Sequence, residues 1–211
     1  MDPIRCEPLK RNDTRQLVHL IARTFTADEP LCVALGLLAP DIERFLQAAS
    51  EQVLSDGLTM VARDVESGKL AGALIAEDLA SPLPVEPENL SPKFQSIISL
   101  LTRFSDEYRQ GTTLSSGQHL HALMLATDRR YRGRGLAQKL IAASIENGLE
   151  LGFRRAVTEA TGVVAQHVFR KAGFVERLRV PYATFRRDSA TPFASIQGHE
   201  GAILMEKSLD G

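Results

Sequence analysis

Cysteine is scarce in this chain: 211 residues include only Cys6 and Cys32, with no C-x-x-C spacing between them. Two such thiols cannot build a disulfide framework, and the expectation is a pair of reduced packing residues. Neither sign of charge dominates either. The 25 lysines and arginines nearly balance 26 aspartates and glutamates, for a net charge of −1. That balance removes the general attraction to phosphate backbones on which nucleic-acid binders rely, so nucleic acid is not expected as a partner. Long apolar runs are missing too. Stretches such as Leu31–Ala39 fall far short of the roughly 20 residues a bilayer span requires, and the opening MDPIRCEPLK has no apolar signal segment. No membrane partner is expected, and the expected location is cytoplasmic. There is no internal repeat and no low-complexity segment.

What the chain does have is the composition of a globular protein, 44% apolar and 24% charged. At this length a single domain over residues 1–211 is expected, burying roughly 70% of the surface of its unfolded chain. An extended piece, Ile4–Pro8, precedes a helix whose start reads as a capping box, Asp13 with Gln16. Leu17, Leu20, Ile21, Thr24 and Phe25 then recur at helical spacing. Pro30 disfavours helical geometry at Glu29, so the helix should break there. A further helix is expected over about Pro40–Ser55, and then a hairpin of Leu58–Asp64 and Leu70–Glu77. Ser81–Pro92 holds four prolines and resembles a linker, but Ser91 and Pro92 read as the start of another helix with Phe94, Ile97, Ile98, Leu101, Phe104 and Tyr108 on its apolar face. The remainder reads as a strand at His119–Thr127, a helix ending at Gly152, a strand at Arg155–Glu159, a helix at Val163–Lys171, and strands near Phe174–Val180 and Gly201–Leu209. The fold class is therefore α/β (α+β), a mixed central sheet with helices on both faces.

Between the strand ending at Thr127 and its helix lies Arg130-Tyr-Arg-Gly-Arg-Gly-Leu-Ala137. Glycines let a backbone approach a ligand closely, and the first amides of a helix lack intrahelical acceptors, so several donors can converge on an anion. Arg129, Arg130, Arg132 and Arg134 add positive charge. The alternative is a tight strand-to-helix turn with solvated arginines. The sequence does not contain GxxxxGK[ST], and Gln138 stands where a dinucleotide fingerprint requires its third glycine, which excludes both common nucleotide loops.

The run Leu125–Leu140 resembles motif A of the GNAT superfamily of acetyl-CoA-dependent N-acetyltransferases, whose pattern Q/R-x-x-G-x-G/A is filled by Arg132, Gly135 and Ala137, or in a second register by Arg130, Gly133 and Gly135. Val168-Phe-Arg-Lys-Ala-Gly-Phe174 is similar to motif B. Phe25-Thr-Ala-Asp-Glu-Pro-Leu31, the helical insertion before motif A and the Pro181–Glu206 tail are similar to the insect-type arylalkylamine N-acetyltransferases. The resemblance implies a GNAT fold whose central strands splay to hold the cosubstrate acetyl-CoA. It implies that backbone of Leu125, Ala126 and Thr127 pairs with the pantetheine arm, that amides of Arg132, Gly133, Arg134, Gly135, Leu136 and Ala137 hold the pyrophosphate, and that Phe169 contacts the cofactor.

Amide formation needs a neutral amine. An alkylamine with a pKa near ~10.4 is an ammonium at pH 7, and neutralising it costs about 4–5 kcal/mol. The resemblance puts Glu29 at the position of a catalytic glutamate acting through water; read alone, Glu29 is a surface turn carboxylate or a cap for the apolar turn after it. Asp28 reads as a turn residue. Of two hydroxyl residues implicated in the subgroup, Thr161 matches the first, with helix capping as its alternative role, and Ala165 replaces the second. Phe169 occupies the place of the motif B tyrosine that serves many members as general acid. His119 and His121 share one strand face and are candidate bases or core residues. No metal-ligand spacing is present, and no metal is expected. The implied activity is acetyl transfer to a small, arylalkyl-type primary amine by a monomer or homodimer. The alternatives are a CoA-binding regulatory protein and a peptide or protein N-acetyltransferase.

Overall fold

The computed structural model describes residues 3–85, 88 and 90–210; part of the proline-rich stretch, residues 86, 87 and 89, lies outside them. In chain order the elements are β1 (Ile4–Pro8), α1 (Thr14–Asp28), α2 (Pro30–Ala34), α3 (Ala39–Ser55), β2 (Met60–Asp64), β3 (Leu70–Asp78), α4 (Gln95–Gly111), β4 (His119–Thr127), α5 (Leu136–Glu150), β5 (Arg155–Ala160), α6 (Val163–Lys171), β6 (Val175–Pro181) and β7 (Gly201–Ser208). The seven strands form one sheet in the order β1-β2-β3-β4-β5-β7-β6. Every neighbouring pair is antiparallel except β4 and β5.

That parallel pair decides where a ligand can enter. Its register covers only His119↔Arg155, Leu120↔Ala156 and His121↔Val157. Beyond His121 the strands part, so β4 from Leu123 to Thr127 has no pairing to β5. A bulge at Leu123 accompanies the change, because Met124 faces Ile75 while Ala122 faces Ala76.

Alternation along the strands divides the core between the two faces. On one face Leu74, Leu120, Ala156 and Met205 pack with Leu140 and Ile141 of α5 and Phe169 of α6. On the other, Val61, Ala73 and Ile75 meet α1 and α3, while Val157 and Leu204 meet Leu100, Phe104 and Tyr108 of α4. Gly72 lets α5 come close to β3: a Cβ there would lie 3.0 Å from both the Ala126 carbonyl and Leu140 Cδ1.

One local expectation changes. Asp13 makes no side-chain cap to α1. Its buried carboxylate accepts instead from Arg63 Nη2 at 2.7 Å and from the Lys10 amide at 3.2 Å, while Gln16 accepts from the Leu70 amide at 3.2 Å. A guanidinium is a stronger partner for a buried carboxylate than a neutral amide, which redirects it from the helix end. In the tail, Phe193 is fully buried and packs on the rings of Phe185 and Tyr182, so the Ser189–Gln197 segment is tied to the core.

Candidate active site

The loop after β4 starts with Asp128, whose Oδ1 accepts from the Arg130 amide at 2.9 Å and caps a short turn. The same carboxylate takes the Arg130 guanidinium and, from α1, Arg23 Nη2 at 2.5 Å. It is 2% exposed, and the Arg130 hydrogen bonds hold it well below the usual carboxylate range against the opposing effect of burial.

Gly133 and Gly135 have φ values of 74° and 71°. Gly135 precedes α5 with no side-chain cap, and a Cβ at either glycine would meet nothing within 4 Å. The left-handed backbone, rather than crowding, is what requires glycine here, and it leaves open space before the first free amides of a fifteen-residue helix. Gly133, Arg134 and Gly135 are exposed, Leu136 is buried and Ala137 half-buried. The anion-binding features read from the sequence therefore fit the pyrophosphate of a CoA-type ligand.

The arginines are not simply solvated. Asp28 at the end of α1 accepts from Arg129 Nη2 at 2.6 Å and also pairs with Arg132. These two partners lower the Asp28 pKa, the Arg129 hydrogen bond most. Arg134 lies over the Tyr131 ring, 5.6 Å from its centre. Asp28 is thus an ion-pair anchor rather than a plain turn residue.

Glu29 leaves helical geometry at φ −81° and ψ 123°, as Pro30 demands. Its carboxylate caps α2, accepting from the Leu31 amide at 3.1 Å and the Cys32 amide at 2.6 Å. The cap alternative is therefore realised. Two of roughly four acceptor directions are used, so the carboxylate keeps capacity for a water. Pro30 in turn lies against the turn after β5: a Cβ on Gly162 would sit 3.5 Å from Pro30 Cδ. Three consecutive residues, Asp28, Glu29 and Pro30, thereby reach from the loop following β4 to the turn following β5 and span the mouth of the split.

Thr161, 132 positions from Glu29 in sequence, is brought to the same mouth. Gly162, not Thr161, flanks α6, and the Val163 amide is taken by His199 Nδ1 at 3.1 Å. Helix capping is accordingly not its role. The Thr161 carbonyl accepts from the buried Tyr182 hydroxyl at 2.6 Å. Burial, then the charge of Glu29, pushes the Tyr182 pKa up, and burial with Glu29 does the same for the Cys32 thiol. Phe169 is 2% exposed and meets Phe174 edge-on at 5.0 Å, inside the core beneath α6. Ala165 packs against that core.

The two histidines separate in role. His119 is buried, with neither ring nitrogen hydrogen-bonded among the described residues, near the Tyr108 ring; burial first, then Arg155, lowers its pKa. His121 is bonded at both nitrogens, to Glu77 and Glu159. Sequence reading missed Tyr182, His199, Glu77 and Glu159. A glutamate at the end of an apolar strand is the only signal that Glu77 offered. Among the described residues no group of three or more His, Cys, Asp or Glu side chains is arranged to hold a metal, and no helix is long and apolar enough to cross a membrane.

The model of the acetyltransferase (GNAT) family matches residues 40–174. Over 99% of this chain and 100% of the other, the structure resembles arylalkylamine N-acetyltransferase 2 from Aedes aegypti, with TM-score 0.82 and 25% identity. With the same coverage it resembles the C-terminal condensation domain of Ebony in complex with β-alanyl-dopamine, at TM-score 0.90 and 18% identity. A Drosophila melanogaster polyamine N-acetyltransferase that forms N-acetylagmatine matches 97% of this chain and 99% of that one, at TM-score 0.77 and 20% identity. The mixed sheet that opens between β4 and β5, the glycine loop leading into α5 and the matching family model together mean that this chain belongs to the GNAT family of acetyltransferases and resembles its insect arylalkylamine N-acetyltransferases.

Proposed function

We propose that this protein transfers the acetyl group of acetyl-CoA to the primary amine of a small acceptor of the arylalkylamine or polyamine kind, with Glu29 as general base through a water. The observation that carries this reading is the Asp28–Glu29–Pro30 bridge across the mouth of the split, which sets a carboxylate with spare acceptor capacity between the anion-binding loop and the turn holding Thr161. Structures it resembles at TM-scores of 0.82 and 0.77 are named for an arylalkylamine and a polyamine enzyme, whereas a NatC complex bound to a peptide matches at 0.56, which supports a small amine over a peptide.

Acetyl-CoA, when bound, supplies an activated acetyl carbon and a thiolate leaving group. The amides from Arg132 to Ala137 hold its pyrophosphate, and the unpaired edge from Leu125 to Thr127 aligns its extended arm as an added strand. Glu29 accepts one proton from the ammonium through water. The freed nitrogen lone pair forms the C–N bond as the C–S bond breaks, the nitrogen sheds its second proton to water, and the thiolate takes one up, so the products are the amide, the free thiol and one net proton. Thr161 orients the water. Phe169 and Ala165 offer no proton, so the leaving thiolate is protonated by solvent or by a group other than the motif B residue.

The test combines calorimetry with CoA and a thiol-release assay over arylalkylamines, polyamines and short peptides. The reading expects CoA binding together with turnover of at least one small amine. CoA binding with no release from any acceptor would replace it with a binding protein, and release from peptides alone would replace the small amine.

A further inference from the structure

Glu77, His121 and Glu159 stand on three adjacent strands and on one sheet face. Glu77 faces His121 in the β3–β4 register, and Glu159 lies two residues beyond Val157, the last β5 residue paired to β4. Val157 belongs to the cluster that includes Leu31 and Tyr182, so this is the face that also carries the Glu29 cap. His121 Nδ1 lies 2.7 Å from Glu77 Oε1 and its Nε2 lies 2.6 Å from Glu159 Oε2. The three side chains are 7%, 5% and 10% exposed.

A carboxylate on each ring nitrogen requires a proton on each, so the imidazole is an imidazolium. Burial opposes that charge, yet Glu159 and Glu77 outweigh it and push the His121 pKa up to about 10. Two carboxylates around one imidazolium leave one negative charge uncompensated. Glu77 uses its second oxygen on the Leu83 amide at 2.7 Å, whereas Glu159 Oε1 has no partner among the described residues. Among the described residues neither glutamate pairs with a lysine or arginine, and Arg155, on the same strand as Glu159, is held by Glu206. The open oxygen therefore stands beside the point where β4 and β5 separate, in surroundings that favour one more cation.

We propose that Glu159, oriented by His121 and Glu77, receives the acceptor in its ammonium form, so that the protein selects cationic amines over neutral amines of the same shape. This rests on the reading of the split as the transfer site. His121 is then a fixed positioning group, both of its nitrogens being occupied, and the proton leaves towards Glu29.

Two isosteric probes separate charge from shape: 2-phenylethylamine is cationic at pH 7, and O-benzylhydroxylamine is neutral. In Glu159→Gln the KM for 2-phenylethylamine should rise about tenfold, the scale of one lost ionic contact. The KM for O-benzylhydroxylamine should stay within about twofold, with CoA affinity unchanged by calorimetry. Glu159→Asp, which keeps the charge, should retain the preference. Equal losses for both acceptors, or no change for either, would overturn the assignment. Calorimetric titration of 2-phenylethylamine into the CoA-loaded protein reads the contact without turnover. Binding about tenfold weaker in Glu159→Gln supports the assignment even where no acetyl transfer is seen, and equal or absent binding in both proteins rejects it.

Discussion

The Tyr182 hydroxyl donates to the Thr161 carbonyl at 2.6 Å, joining the tail after β6 to the turn after β5 across 21 residues. Tyr182 is 1% exposed, so the carbonyl it serves has no ready replacement. Tyr182→Phe leaves that acceptor unpaired at nearly constant volume and should cost about 1–3 kcal/mol. Urea unfolding would show this as a lower midpoint with an unchanged slope; a midpoint equal to wild type would mean the bond contributes nothing.

Glu29 carries two separable duties, capping α2 and accepting a proton. Glu29→Gln keeps an acceptor oxygen for the Leu31 or Cys32 amide, so its stability loss should stay near the lower end of the range of about 0.5–2 kcal/mol for cap changes. Loss of a general base should lower kcat/KM by about 10²-fold or more. CoA affinity should hold, and the acid limb of the pH–rate profile should vanish. A variant profile of wild-type shape would remove Glu29 from proton transfer.

At Gly135 a φ of 71° makes any side chain costly, although space is free. Gly135→Ala should destabilise by about 1–2 kcal/mol or twist the loop out of register. Either way the first amides of α5 lose their aim. CoA should bind roughly tenfold more weakly by calorimetry, equivalent to about 1.4 kcal/mol.

Most elements were legible because their signals are local. The helical stripe of α1, the Pro30 break, the glycine-flanked hairpin and the limits of β4 and α6 all follow from periodicity and turn chemistry. The order β5-β7-β6 and the three-residue pairing of β4 with β5 depend on contacts between distant segments, which no local pattern encodes. The site divides the same way. The loop Arg132–Ala137 announces itself as a run, whereas Asp28 meets Arg129 across 101 residues and His121 meets Glu77 across 44. His121 is the instructive residue: its strand face was readable, but which groups occupy its nitrogens was not.

Asp128 makes stability sensitive to acid. Its folded pKa is depressed, chiefly by Arg130, so its contribution is present above the unfolded value near about 3.9 and is lost as pH falls through the folded value. Asp128→Asn should therefore cost about 1.5–3 kcal/mol at pH 7, the scale of a hydrogen bond to a charged group. The gap between variant and wild type should close as the pH is lowered from about 4. A gap independent of pH would assign the loss to packing.

His121 sets the opposite dependence. Its folded pKa, about 10, stands above an unfolded value of about 6.5, so its stabilisation is complete below the unfolded value and is lost as pH rises through the folded one. At pH 6, His121→Gln breaks a buried ionic triad and should cost about 3–5 kcal/mol. Towards pH 10 the wild type gives up the imidazolium while the variant has none to lose, so the two unfolding midpoints should converge. Comparing variant with wild type at each pH cancels the titration of exposed lysines and tyrosines, which both proteins share. Midpoints separated equally at pH 6 and pH 10 would mean that His121 is neutral in the folded protein, and that the carboxylates of Glu77 and Glu159 do not hold a charge between them.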